Sequence, residues 1–308
     1  MYKPRVVISR CINIAPVRYN GGIVTDDFAK KLGQFVEYID ICPEVDIGMS
    51  VPRPSVILAK YPEKIRMIEP ISKTDYTEKI EDYSKKMMES FKNIDGFLLK
   101  SKSPSCGVGD TKLYKDDLVH SVGKTDGIFA RFAKTHFPYL PVEDEGRVHD
   151  IWIKRDFLTK IFTFANARNT LSNIESINQL IKFHQNNKYL LMLYSPSKQK
   201  KLGQIIANWD KVGLNETVKI YRELFYQTFL KRPGLKSHIN VLQHIYGHFS
   251  DLLKSSEKRH IHNLLNKALD GKVDIKTVIE YIKGFVFRFD DEYLKSQTYL
   301  SPYPEELD

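Results

Sequence analysis

Cysteine is nearly absent from this chain, with three in 308 residues. Cys11, Cys42 and Cys106 lie 31 and 64 residues apart, which excludes a disulfide framework. In a reducing compartment such cysteines are either inert core residues or soft-metal ligands. Zinc sites usually show close C-x-x-C pairs, and there are none. Long apolar runs are also missing. Nothing approaches the roughly 18 consecutive apolar residues of a membrane-spanning helix, so no membrane partner is expected. The N-terminus carries a short apolar run without a signal-peptide core and cleavage site, and a cytoplasmic protein is the expectation. No internal repeat or low-complexity tract is present. Gly107-Val108-Gly109 lacks the third glycine and following helix of a dinucleotide fingerprint, so no organic cofactor is expected.

The chain exceeds the usual size of one domain, and an apolar share of 42% can fill two ordinary cores. Its net charge of +9 is uneven. Residues 1–150 hold 23 Lys/Arg against 22 Asp/Glu, whereas residues 151–289 hold 23 against 10. Such an excess on one half is either the footprint of a polyanion binder or a device for solubility.

Strand-like and helix-like segments alternate through the first half. Val6-Val7-Ile8 is a β-branched run. Asp26 or Thr25 can cap a helix through Phe28, Leu32, Phe35 and Val36, and Val36–Ile41 leads into Cys42-Pro43. Tyr76–Phe91 reads as an amphipathic helix, and Gly96–Leu99 as a buried strand. This alternation predicts an α/β fold, a Rossmann-like, mostly parallel sheet with helical cover. From about Ser172 the apolar spacing turns helical, over Ile174–Leu193, Leu202–Trp209, Thr217–Leu230, His238–Leu253, Glu257–Leu269 and Lys276–Phe289. An all-α domain is therefore expected over residues 170–308, after an α/β domain over residues 1–165, with Ser301-Pro302-Tyr303-Pro304 extended at the end.

Each cysteine falls just after a predicted strand, at the start of a loop rich in Gly, Pro or Ser. Ligands of open parallel sheets bind where such loops converge. Thiolate suits zinc or iron–sulfur groups, and three thiolates on a cubane leave its fourth iron free to bind substrate.

With these motifs the sequence resembles the cluster-dependent thiouracil desulfidases. The likeness rests on Cys11 with Val17-Arg18-Tyr19-Asn20-Gly21-Gly22, on Cys42-Pro43-Glu44 through Pro52-Arg53, and on Lys100-Ser101-Lys102-Ser103-Pro104-Ser105-Cys106-Gly107. Gly127-Ile128-Phe129-Ala130 and Leu140-Pro141-Val142-Glu143 to Arg147 continue it over about the first 160 residues. The second half resembles the helical domain often fused to that family, in Phe183-His184, Lys188-Tyr189, Asn240–Ile245 and Gln297–Pro304. The pair together is similar to bacterial desulfidases acting on 4-thiouridine in tRNA.

The resemblance implies a 4Fe-4S cluster held by Cys11, Cys42 and Cys106. Glu44 would stand beside the open iron as a general base or acid, and Ser103 would donate to the reacting ring, with Ser101 the weaker candidate. The expected function is replacement of sulfur by oxygen in thiolated uracil, with tRNA or a smaller thiolated uracil as substrate. The alternatives are a desulfidase of free thiouracil or nucleotides, and a non-catalytic sulfide-carrying or RNA-binding module. Lys182-Phe183-His184, Lys188-Tyr189, Tyr221-Arg222 and Lys231-Arg232 could grip phosphates and stack bases, or their aromatics could form the helical core. His244 and His248, one helical turn apart, lack the glutamate of H-E-x-x-H and read as structural.

Overall fold

A computed structural model describes residues 2–308. They divide into two compact units. The first runs to Arg168 and takes in Tyr303–Asp308, and the second is Asn169–Pro302.

The first unit contains, in chain order, β1 (Arg5–Ser9), α1 (Asp27–Leu32), β2 (Glu37–Ile41), α2 (Pro43–Asp46), β3 (Ile57–Lys60), β4 (Ile65–Ile68), α3 (Thr77–Ser90), β5 (Gly96–Leu99), β6 (Thr111–Lys115), β7 (Ser121–Thr125), α4 (Ile128–His136) and β8 (Val142–Asp144). The long α5 (Ile151–Leu171) follows, and the division between units falls within it.

Strands β2-β1-β5-β8 form a four-stranded, all-parallel sheet in that order. Period-2 alternation sends neighbouring residues to opposite faces, and the inner strands β1 and β5, covered on both, are apolar at Val6–Ile8 and Gly96–Leu99, while the edge strands β2 and β8 carry Glu37, Asp40, Glu143 and Asp144. Val6, Ile8 and Leu98 pack with Ala29 and Leu32 of α1 and with Phe157, Leu158 and Ile161 of α5. Val7, Phe97 and Leu99 pack on the other face with Met88 of α3 and Phe129, Ala130 and Ala133 of α4. Gly96 is required at the start of β5, because a Cβ there would lie 2.8 Å from the Ile161 side chain. Leu307 and Tyr303, from the end of the chain, complete the first of these cores.

A second four-stranded sheet, β4-β3-β6-β7, is mixed. Its β3–β6 pair is parallel and its outer pairs are antiparallel. Asp26 is the residue that caps α1, accepting from the Ala29 amide at 2.6 Å. That helix ends at Leu32, so Phe35 and Val36 belong to the turn before β2.

The second unit is helical: α6 (Ile177–Asn186), α7 (Lys188–Tyr194), α8 (Pro196–Ala207), α9 (Trp209–Val212), α10 (Leu214–Thr228), α11 (Leu235–Gly247), α12 (Ser255–Leu269), α13 (Ile275–Arg288) and α14 (Glu292–Lys295). The single helix expected over Ile174–Leu193 is two helices. Buried Asn187 stands at the break, its side chain donating to the Phe183 carbonyl at 2.8 Å. No helix of the described residues is long and apolar enough to cross a membrane.

Candidate functional site

The chain steps from β1 to β2 on one side and to β5 and β8 on the other, so the sheet order reverses beside β1. Loops leaving the carboxyl ends of strands diverge at such a switch point and leave a crevice. Ser9 ends β1 and Cys11 follows, Cys42 directly follows β2, and Lys100 directly follows β5, whose loop carries Cys106. Cys11, Cys42 and Cys106 line one cavity of about 340 Å³, together with Glu44, Ser101 and Ser103.

The thiols are buried, and neighbouring thiols add to the upward shift of Cys11 and Cys106. Burial pushes Cys11 up to about 12, with a further push from Cys42, while Lys100 and Arg18 oppose the shift. Burial also raises Cys42, against the nearby Val45 amide, and raises Cys106 strongly, against a hydrogen bond from Ser9. Buried thiols that share one cavity can be stabilised as thiolates by a bound metal, whose charge replaces the missing solvation. No group of three or more His, Cys, Asp or Glu among the described residues is set to hold a metal ion.

Glu44 is held rigidly. Arg53 donates to its Oε2 through Nε at 2.9 Å and Nη2 at 2.6 Å, and Ser105 Oγ donates to its Oε1 at 2.9 Å. Both partners are buried, and Arg53 also bonds the Val17 and Ser50 carbonyls. Ser103 Oγ accepts from the amides of Ser105 at 3.2 Å and Cys106 at 3.1 Å. Those bonds shape the turn and leave the hydroxyl proton of Ser103 to be donated. Ser101 is committed elsewhere: its hydroxyl donates to Glu145 at 2.7 Å and accepts from Lys100 at 2.9 Å, while Lys100 is ion-paired with Glu145.

The Cys106 loop is anchored by α4. The Ile128 amide donates to the Pro104 carbonyl at 3.0 Å, and the Gly127 amide to the Gly107 carbonyl at 2.8 Å. A Cβ on Gly127 would come within 2.5 Å of the Ser105 carbonyl group, so only glycine permits this approach.

Residues 6–145 match the family described as 2-thiouracil desulfurase, and residues 188–304 match DUF1722, a family of proteins of unknown function. The uncharacterised protein YbbK of Bacillus subtilis (strain 168) is 31% identical over 111 residues, 34% of this chain and 74% of YbbK. The chain belongs to the 2-thiouracil desulfurase family. The uncharacterised protein YbgA of Escherichia coli (strain K12) is 23% identical over 128 residues, 41% of this chain and 75% of YbgA. A solved structure of the 4Fe-4S-dependent thiouracil desulfidase TudS is 24% identical, with a TM-score of 0.40, over 50% of this chain and 98% of that one.

Within this desulfurase-family unit, sequence reasoning had given no role to Ser9, Arg53, Lys100, Ser105 or Glu145. Glu145 could have been found from its place right after a strand of the parallel sheet. Arg53 and Ser105 reach Glu44 from 9 and 61 residues away and left no local signal. In the helical unit, Phe183, Tyr189 and Tyr221 are buried core residues and offer no face to a base. Their apolar rings fill the interior, where Phe183 packs edge-on to Tyr221. His248 bonds the Tyr189 hydroxyl at 2.6 Å, and both His244 and His248 are exposed.

Proposed function

We propose that this protein is a 4Fe-4S-dependent desulfidase that replaces sulfur by oxygen in thiolated uracil, with 4-thiouridine in tRNA as its substrate. Cys11, Cys42 and Cys106 would hold the cluster. The observation that carries this reading is that three buried thiols, a buried carboxylate and a serine hydroxyl share one cavity at the switch point of a parallel sheet.

When bound, such a cluster supplies a Lewis-acidic iron for the departing sulfur. The chain's own groups do the rest. Water adds to the thiocarbonyl carbon, the C=S bond gives way to C=O, and hydrogen sulfide leaves, so no electrons are exchanged. Glu44 takes the proton of that water. A carboxylate has about four acceptor sites, and Arg53 and Ser105 use three, which leaves one facing the cavity. Arg53 on Oε2 and Ser105 on Oε1 hold both oxygens and so fix the carboxylate plane, which pre-organises it before the reaction. Ser103 donates its free proton to the ring.

The helical unit supports a polyanionic substrate through charge, since Asn169–Pro302 holds 20 Lys/Arg against 12 Asp/Glu. With Phe183, Tyr189 and Tyr221 buried, the contact at those basic stretches would be electrostatic and therefore steeply salt-dependent.

The test is anaerobic reconstitution of the full chain, followed by iron analysis and sulfide release from thiolated tRNA. Cys11→Ser, Cys42→Ser and Cys106→Ser should each lose iron and turnover. Full iron and turnover in any one of them would refute the ligand set, and release from free thiouracil but not from tRNA would refute the substrate.

A further inference from the structure

Cys42 stands at the head of α2, a single turn that also carries Glu44. One turn fixes several backbone angles for one or two hydrogen bonds, so it needs support from outside itself. Asp46, the last residue of the turn, supplies part of that support. Its amide donates to the Cys42 carbonyl at 2.8 Å, and its Oδ2 accepts from the Cys42 amide at 3.2 Å. The carboxylate is in turn gripped from two other elements. Arg10, just after β1, donates to Oδ1 through Nη1 at 2.9 Å and to Oδ2 through Nη2 at 3.4 Å. Tyr83 of α3 donates its hydroxyl to Oδ2 at 2.7 Å. Burial and the bond to Asp46 push the Tyr83 phenol well up, so it stays protonated as the donor. Arg10 is the residue before Cys11, and it brackets Cys42 on both sides. Its amide donates to the Ile41 carbonyl at 2.7 Å and its Nε to Asp40 Oδ2 at 2.6 Å, while its fork holds Asp46.

We propose that Arg10, Asp46 and Tyr83 form a clasp outside the cavity that fixes the spacing of Cys11 and Cys42 for the cluster. This rests on the cluster-binding part of the desulfidase reading given above. The three residues stand outside the set that lines the cavity, so they are positioning residues that meet neither substrate nor cluster. They act through the backbone: the clasp holds the Cys42 amide and carbonyl, and it seats Cys11 through the residue before it. Burial raises Cys42, and the negative charge of Asp46 adds to that shift, so its service to the cysteine is geometric and not electrostatic. Arg53 and Ser105 hold Glu44 of the same turn from the cavity side, which pins α2 on both flanks. Residues that orient metal ligands without touching the metal contribute about tenfold to a hundredfold in metal affinity.

The experiment uses the full chain, reconstituted anaerobically, as parent and as Asp46→Ala, Asp46→Asn, Arg10→Met and Tyr83→Phe. Half of the iron should be lost at about tenfold to a hundredfold less competing chelator in Asp46→Ala and Arg10→Met. Tyr83→Phe, which gives up a single bond, should shift less. Asp46→Asn keeps an acceptor for the Cys42 amide and should recover part of the hold. The electron paramagnetic resonance spectrum of the reduced cluster should change shape in Asp46→Ala, a signature of altered ligand spacing that a general loss of stability does not produce. Amide hydrogen exchange gives a readout free of iron. The Cys42 amide should exchange about tenfold faster in Asp46→Ala, the worth of one charge-assisted hydrogen bond, while that of Phe97 in β5 keeps the parent rate. Should Asp46→Ala not fold, Tyr83→Phe carries the same comparisons. If the parent takes up no iron, the desulfidase reading falls, and exchange at Cys42 still decides the clasp. Parent-like chelator resistance with an unchanged spectrum, parent-like exchange at Cys42, or equal acceleration at Phe97 would overturn the proposal.

Discussion

Leu307, the second-last residue, should matter as much to the cysteine-bearing unit as a residue of its central strands. It is 1% exposed and packs in one core cluster with Val6, Ile8, Cys11, Ile12 and Phe157. Leu307→Ala removes apolar contact and leaves a cavity, a change that costs about 2–5 kcal/mol in packed cores. Whole domains are stable by only about 5–15 kcal/mol, so a third of the margin is at stake. The two tryptophans make the assay clean, because Trp152 lies in the first unit and Trp209 in the second. In a Trp209→Phe background, urea unfolding followed by Trp152 fluorescence reports the first unit alone. With a slope of about 2 kcal/mol per molar urea, the midpoint should fall by about 1–2.5 M. Tyr303→Phe, which removes the hydroxyl bond to Asp308 at 3.0 Å and keeps the buried ring, should cost about 1 kcal/mol. A Leu307→Ala midpoint within about 0.2 M of the parent, on that same slope, would refute the packing argument.

Three further outcomes can be stated. Glu44→Gln should keep iron while turnover falls about 10²–10⁴-fold, whereas Arg53→Met should cost about 3–5 kcal/mol in urea unfolding by stranding the Glu44 charge, with part of that loss recovered in the double variant. Burial, with Lys188 adding to it, holds His184 down to about 4; its unfolded form protonates near 6.5, so stability should be complete above that pH and drain away, by about 3 kcal/mol, as pH falls towards 4, and His184→Gln should flatten this slope. Burial raises Asp144 to about 6, where one carboxylate oxygen has no partner; its contribution runs the other way, complete below about 3.8 and lost as pH rises through 6, so Asp144→Asn should remove a loss of stability between pH 4 and 7.

The parallel sheet and its cysteines were legible because their signals are local. A β-branched run, a following Gly- or Pro-rich loop and a cysteine lie within a few residues of each other at Val6–Cys11, and a similar pattern recurs before Cys42. The second sheet was not legible. Strands β3, β4, β6 and β7 are four or five residues long, and β7 is almost wholly exposed, so no apolar alternation marks it. The helix break at Asn187 was hidden because apolar spacing continues unbroken across it into Tyr189 and Leu190. Charge composition separated the two units, but Phe183, Tyr189 and Tyr221 beside the lysines turned out to be interior residues.

Long-range pairing explains what periodicity cannot reach, and it changes how the site can be tested. Glu44 is fixed by Ser105 from 61 residues away, and Ser101 by Glu145 from 44. Each bond ties the loop of one strand to the loop or end of another, so the cavity is a property of the assembled sheet. The same holds for the chain end. Helical periodicity over residues 174–289 invites a cut after the parallel-sheet unit, yet Tyr303 and Leu307 lie in the core cluster that contains Cys11. A simple truncation there would remove the basic helices and part of the cysteine-bearing core together, and loss of RNA binding could not be told from loss of the site. Deleting Asn169–Pro302 while joining Tyr303–Asp308 through a flexible linker keeps that core residue for residue. Charge reversals on the exposed lysines of the second unit, such as Lys219→Glu and Lys236→Glu, leave the first unit untouched and isolate the electrostatic contribution.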